Sequence, residues 1–592
     1  MTGNPAGRTE PASAGMFPKR SVQPLLTDFY QFTMAYGYWK SGRQGERAVF
    51  EMCFRKNPLG GEFTIFAGLQ DCLSFLSEFQ LSQEDVQFLR SVLPPTTEES
   101  FFNYLLNIST SEVTVRAVPE GSIVFPQVAL LEVEGPLAVV QILETSLLTL
   151  VNYASLVATN AARFRLAAGP DRQLLELGLR RAQGPDGGIS ASRYSYIGGF
   201  NGTSNVLAGK LYGIPLFGSV AHSYITSFTS MSEVKVQGLG PACGSTPALD
   251  FASLCKDWLS RVCEVLEVPE RQVNLSELAA FVSFASSSPR NFAAVVDTYN
   301  VTRSGVPNFC AVALALHQLG YRALGLRLDS GDLLHQSLVV RRMLRVCANR
   351  FAVPGLSEMQ IIVTNGISEK DLINLQQQPN AVDSVGVGTH LVTCPAQPSL
   401  GCVYKLTQVN GDPCMKLTED EDKMTLPGKK TAYRFFGADG SPFLDLLTLD
   451  SESVPKAGEE IWCHVLRPGG GAVAVRATRV ELLHHVYFEH GRMSRDAPST
   501  TEIRSYAQVS LNKLPAQHKC LVEPVPYQVA ISRKLHQLLS ELAQERVSVP
   551  VEPRCTESSS VPRGYETRCV QSLSPSPLGK GIIASLVPGS QT

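Results

Sequence analysis

Residues 323–364 read ALGLRLDSGDLLHQSLVVRRMLRVCANRFAVPGLSEMQIIVT. A short apolar run, 323–328, ends in the polar turn Asp329-Ser330-Gly331-Asp332. A helical stretch follows at 337–350, then a second apolar run at 359–364. Apolar runs of this length, bounded by turn residues, suit strands buried on both faces. Two such strands joined through a helix lie parallel. Working outward, similar runs recur at 173–177, 214–220, 292–297 and 382–387, with another helical stretch at 311–319. The repeated β-α units predict an α/β fold, as a parallel barrel or an open doubly wound sheet. Polar motifs end these strands, where such folds place their sites.

The flanks read differently. Residues 1–20 are polar and rich in Pro and Gly, which predicts disorder. From 24 to 88 apolar residues recur at helical spacing, with glycine turns at Gly60, Gly61 and Gly68. Residues 113–135 are β-branched and punctuated by Pro and Gly, as in short antiparallel strands. Residues 137–168 read as long buried helix, and 231–290 as a less regular insertion. Residues 400–545 return to mixed strands with one amphipathic helix at 529–542, and 546–592 read as a disordered tail.

With 592 residues the chain can bury more than one core. Its hydrophobic fraction of 44% and charged fraction of 18% are those of a soluble globular protein. A net charge of -2 argues against nucleic acid as a partner. The 14 cysteines are scattered without a CxxC pair, which disfavours a zinc site and fits a reducing compartment. The N-terminus shows no apolar secretory core. The run 137–151 carries Gln141, Glu144, Thr145 and Ser146, too polar and short to span a membrane. The cytosol is the expected location.

Residues 176–228 concentrate the chemistry. They hold Arg180, Arg181, Arg193, ten glycines and His222. Guanidinium forks bind phosphate in pairs of hydrogen bonds, and glycines let backbone N–H groups approach anionic oxygens. A histidine closing an apolar run is either a nucleophile or proton carrier, or a satisfied buried residue. Ser219 precedes it by three positions. Asp297 ends another run, either as a helix cap or as the carboxylate that orients His222. Arg327 suits an anionic substrate, Asp329 ribose hydroxyls, and Asp332 either ribose or Mg²⁺; a simple capped turn is the alternative. Gly386, Gly388 and Thr389 form a loop able to cup phosphate. Tyr30 is either core or an aromatic that stacks on a flat heteroaromatic ring. Together these suggest phosphoryl or phosphoribosyl chemistry.

Taken in order, several motifs resemble the nicotinate phosphoribosyltransferases. They are TDFYQFTMAYGYW, FRKNPLGGEFTIFAGL, ELGLRRAQGPDGGISASRYSYIGGFNGTSNVLAG, the AHS around His222, DTYNV, LRLDSGD, and GVGTHLVTCPAQPSLG followed by VYKL. The resemblance spans about 20 to 545. It implies an irregular β/α barrel over 156–399, packed on a mixed α+β domain from 21–155 and 400–545. It implies that nicotinate and 5-phosphoribosyl 1-pyrophosphate give nicotinate mononucleotide and pyrophosphate, with ATP hydrolysis as driver and Mg²⁺, or Mn²⁺ in its place, as cofactor. It also implies a homodimer with shared sites.

On the matching positions, His222 would be the histidine that ATP phosphorylates and Asp297 its orienting carboxylate. Tyr30, Ser219 and Arg327 would contact nicotinate, Tyr30 from the partner subunit. Arg180, Asp329, Gly388 and Thr389 would bind the phosphoribosyl donor. Ser204 stands where related nicotinamide enzymes carry aspartate, and so favours the acid. A nicotinamide-using enzyme and a non-catalytic metabolite-sensing scaffold of the same fold are the competing readings. Two positions depart from the family pattern: Cys402 replaces a glycine, and Gly366 replaces a polar residue.

Overall fold

A computed structural model describes residues 22–235, 238–244, 247–416, 425–467 and 469–547. One compact unit runs through Ala543; of a second, from Gln544 on, only a helix end up to Val547 is described. The stretches expected to be disordered, 1–20 and the tail past Val547, lie outside the described residues. Among these residues no helix is long and apolar enough to cross a membrane.

Six parallel strands form the central sheet: β1 (Gln173–Glu176), β2 (Gly202–Thr203), β3 (Ala293–Val295), β4 (Gly325–Leu328), β5 (Gln360–Val363) and β6 (Ser384–Val387). Their order is β2-β1-β6-β5-β4-β3, and every pairing is parallel. Ala294, Leu326, Ile361 and Val385 are fully buried, as two-sided coverage by helices requires. The helices Val306–Gln318 and Leu333–Phe351 fall where the periodicity predicts them.

The expected strand at 214–220 does not form. Only Leu216 pairs, by a single parallel bridge to Thr203. Pro215 has no N–H for a ladder, and Gly213 and Gly218 flank it. The segment instead runs on toward β4, and no strand ladder joins β2 to β3 among the described residues. The Arg327 guanidinium donates to the Val220 carbonyl at 3.3 Å. The architecture is therefore an irregular β/α barrel, as expected.

Both ends of the chain build the surrounding mixed region. Strand Arg47–Phe54 lies between Leu131–Pro136 and Cys402–Val409, antiparallel to each. A second sheet draws on 430–532, with Pro442–Leu449 parallel to Gln528–Ser532. Here the helix expected at 529–542 is corrected. Val529–Ser532 belong to the strand, and the helix begins at Arg533. The apolar β-branched run favours the sheet, and the Ser532 hydroxyl accepts from the Leu535 N–H to start the helix.

The long apolar stretch at 137–168 is two helices, Leu137–Ile142 and Glu144–Ala168. The second ties the halves together. Its Thr159 and Ser155 hydroxyls accept from the N–H groups of Ile65 and Ala67 at 2.9 and 3.0 Å. Its Asn160 amide donates to the carbonyls of His390 and Leu391, both at 3.0 Å, anchoring the turn after β6. The two departures from the family pattern are accommodated. Gly366 takes a left-handed φ of 60°, which suits glycine. Cys402 is buried, and its backbone N–H donates to Asn152 at 2.9 Å.

Candidate active site

The carboxyl ends of β3 and β4 bring four predicted residues together. Asp297 lies just past β3, and its side chain is 2% exposed. Its Oδ2 accepts from the Asp329 N–H at 2.8 Å and the Ser330 hydroxyl at 2.6 Å. Its Oδ1 is buried without a hydrogen-bond partner, 3.8 Å from His222 Nε2. Asp329 places its own Oδ2 3.5 Å from the same nitrogen and accepts from the Thr364 hydroxyl through Oδ1. His222 begins a short helix, His222–Thr226, and its ring is 40% exposed. Its Nδ1 lies 3.0 Å from Thr298 Oγ1. Two carboxylates thus face one edge of an accessible imidazole without hydrogen-bonding it, close enough to stabilise positive charge on the ring.

Arg327, on β4, completes the group. Its Nε is buried without a partner. Burial pulls the guanidinium pKa below its ordinary value; Asp329 and Asp297 oppose this, and Arg180 adds to it. Arg327 Nε and Asp297 Oδ1 are thus both buried without a partner, a state that bound ligand atoms can relieve. Behind Asp297 lies a further acid. Glu277, fully buried on the helix Leu275–Ser287, accepts from Ser304 at 2.5 Å and Asn308 at 3.1 Å. Burial pushes its carboxyl up to about 7, with the charge of Asp297 adding to the rise.

The remaining predicted residues divide. Arg180 follows β1 in the exposed turn Leu179–Arg181, Ser204 follows β2, and Thr389 opens the turn Thr389–Val392 after β6, with Gly388 just before it. All four sit at the carboxyl end of the sheet, as Arg327 and Asp329 do. Ser219 is exposed on the segment 214–220, three residues before His222. Asp332 caps the helix Leu333–Phe351, accepting from the His335 N–H at 3.0 Å. Among the described residues no three His, Cys, Asp or Glu side chains converge to hold a metal. An ion such as Mg²⁺ fits here only with substrate oxygens completing its shell, which is its usual habit.

Tyr30 stands apart. It lies on the helix Phe29–Lys40, 47% exposed, beside Asp28 and Glu144. Among the described residues nothing joins it to His222 within one chain.

Arg193 is a correction. It points into the core, 1% exposed, pairs with Asp71 at 3.0 Å and donates to Gln70. It is not available to phosphate. The glycine-rich run around it is mostly the helix Gly184–Ile197.

Sequence reasoning missed Thr298, Ser330 and Thr364, the hydroxyls that touch His222, Asp297 and Asp329. Two of them adjoin a carboxylate already singled out, and that adjacency was the available signal.

The chain is similar to known proteins. The human nicotinate phosphoribosyltransferase is 52% identical over 525 residues, covering 88% of this chain and 97% of its own. The chain belongs to the nicotinate phosphoribosyltransferase family. Nicotinate phosphoribosyltransferase 2 of Arabidopsis thaliana is 47% identical over 88% of this chain and 94% of its own. The nicotinate phosphoribosyltransferase N-terminal domain model matches residues 25–152 and the C-terminal domain model 429–539. The crystal structure of human nicotinic acid phosphoribosyltransferase superposes with a TM-score of 0.80 at 50% identity, covering 87% of this chain and 99% of that one.

Proposed function

We propose that this family member joins nicotinate to 5-phosphoribosyl 1-pyrophosphate, giving nicotinate mononucleotide and pyrophosphate, the first step of NAD synthesis from nicotinate. ATP hydrolysis drives the reaction through a phosphohistidine at His222. The observation that carries the reading is the cluster at β3 and β4. An exposed imidazole faces Asp297 and Asp329, beside a buried guanidinium with an unpartnered N–H.

Each group then has a task. An imidazole nitrogen of His222 attacks the γ-phosphorus of ATP and takes the phosphoryl group, with ADP as the leaving group. Asp297 and Asp329 stabilise the charge that this places on the ring. Arg327 and Ser219 hold the nicotinate carboxylate, with Tyr30 of the partner subunit stacking on the ring in a homodimer. Ser204 leaves the carboxylate unopposed by negative charge. Arg180, Asp329, Gly388 and Thr389 hold the phosphoribosyl donor, so that the ring nitrogen and the anomeric carbon meet in line. Asp332, with diphosphate oxygens, would hold Mg²⁺ or Mn²⁺, which neutralises charge on the departing pyrophosphate. The site of action is the cytosol.

Product analysis tests this. The protein is offered nicotinate and nicotinamide side by side with 5-phosphoribosyl 1-pyrophosphate, with and without ATP. Nicotinate mononucleotide as the dominant product, formed faster with ATP, is expected. Preferred nicotinamide turnover, or no nucleotide at all, would overturn the reading.

A further inference from the structure

The carboxylate at the end of β1 has no role in the chemistry above, yet it sits where three parts of the site meet. Glu176 is 1% exposed. Its Oε1 accepts from the Gly178 N–H, which fixes the turn leading into Arg180. Its Oε2 accepts from the hydroxyls of Thr203 and Ser192, the latter at 2.8 Å and shared with the Gly188 carbonyl at 3.0 Å. All of these partners are neutral donors, so the carboxylate acts purely as an acceptor.

Because the carboxylate draws the Thr203 proton, the Thr203 oxygen is left to accept. The Asn205 N–H donates to it at 2.9 Å. The Ser192 oxygen accepts from the Asn205 side-chain amide at 3.1 Å. Ser204 lies between Thr203 and Asn205, and its own N–H donates to the Glu176 carbonyl at 3.0 Å. The turn presenting Ser204 is thus held on both sides by one residue. Gly178 carries the hold to a third element. A Cβ there would lie 2.4 Å from Val392 Cγ1, so the loop packs directly on the turn that Thr389 opens.

We infer that Glu176 is a positioning residue that sets the spacing between the nicotinate-side turn at Ser204 and the phosphoribosyl-side loops at Arg180 and Thr389. This deepens the proposed function and rests on it. Bisubstrate catalysis depends on that spacing, because a misplacement of about 1 Å costs on the order of a hundredfold in rate.

Steady-state kinetics of Glu176→Gln test the inference. The amide keeps the volume but presents a donor to hydroxyls that now donate. We expect KM for nicotinate and for the phosphoribosyl donor to rise together, each by about tenfold, as loss of a buried charge-assisted hydrogen bond predicts. Thr203→Val removes one arm only and should raise KM for nicotinate alone. The double variant should fall short of the product of the single effects, since the two residues share one network. Unchanged KM values and unchanged kcat in folded Glu176→Gln, with only thermal stability reduced, would overturn the inference and leave a structural role. If Glu176→Gln does not fold, unchanged KM for nicotinate in Thr203→Val would overturn it. Failure of the wild-type protein to form nicotinate mononucleotide would instead sink the proposed function, so the two failures are distinct.

Discussion

Arg434 and Arg327 are both largely buried arginines on strands, one in the antiparallel region and one in the barrel, and they are treated oppositely. Arg434 is closed on itself. It donates to both oxygens of Asp445 at 2.8 and 2.7 Å and to the Ile123 carbonyl at 2.9 Å. Tyr527 adds a hydrogen bond to the same carboxylate at 3.1 Å. Burial alone would lower the Arg434 pKa, but Asp445 outweighs it and raises the group above its ordinary value. For Arg327 burial prevails, and one N–H has no partner. A buried charge whose partners are complete stabilises a fold. One left short can take a ligand as its partner.

Substitution can break the contrast. Arg434→Met strands Asp445 without its cation, and urea unfolding should show a loss of about 3–5 kcal/mol. The protein that remains folded should keep its KM values. Arg327→Met should do the reverse. Stability should hold or rise, while kcat/KM for nicotinate falls about 10²–10³-fold, the usual result of deleting a group that meets developing or bound charge. If Arg327→Met unfolds like its counterpart, the two arginines play the same part and the comparison fails.

A smaller effect sharpens the barrel side. Ser204→Asp sets a carboxylate toward the nicotinate carboxylate, and KM for nicotinate should rise at least about tenfold through like-charge repulsion. Unchanged nicotinate kinetics in that variant would refute the role given to Ser204.

How far the sequence revealed this contrast depends on range. The parallel strands were legible because short apolar runs bounded by turns have few alternatives once helices alternate with them. Asp297, Arg327 and Asp329 were legible because strand ends are where such sheets place polar groups. The run at 214–220 misled, since its composition is strand-like while Pro215 cannot serve a ladder. Two-residue β2 was too short to carry any pattern. Arg193 misled for a different reason: its neighbours in sequence are glycines, but its partner Asp71 lies 122 positions away. Thr364, which steadies Asp329 from 35 positions off, was hidden in the same way. Local pattern names the strand ends; it does not say which side chains turn inward.

The smallest effect concerns the acid behind the site. Glu277 titrates near 7 in the fold, raised by burial and then by Asp297, against about 4.3 in an unfolded chain. The folded state therefore holds a proton that the unfolded state has released. The stability from this group is full below about pH 4.3 and is lost as pH rises through 7. Glu132, also raised to about 7 by burial, contributes in the same direction in the antiparallel region. The test is therefore a difference. Between pH 6 and 8 wild type should lose about 1–2 kcal/mol more than Glu277→Gln. Equal losses would mean that Glu277 does not hold its proton.

The central claim is that the imidazole at the mouth of the barrel carries phosphate. Incubation with γ-labelled ATP tests it most directly. The account predicts acid-labile, alkali-stable label on the wild-type protein, absent from His222→Ala and discharged when nicotinate and 5-phosphoribosyl 1-pyrophosphate are added together. Wild-type protein that takes up no label, or label that survives in His222→Ala, would contradict it.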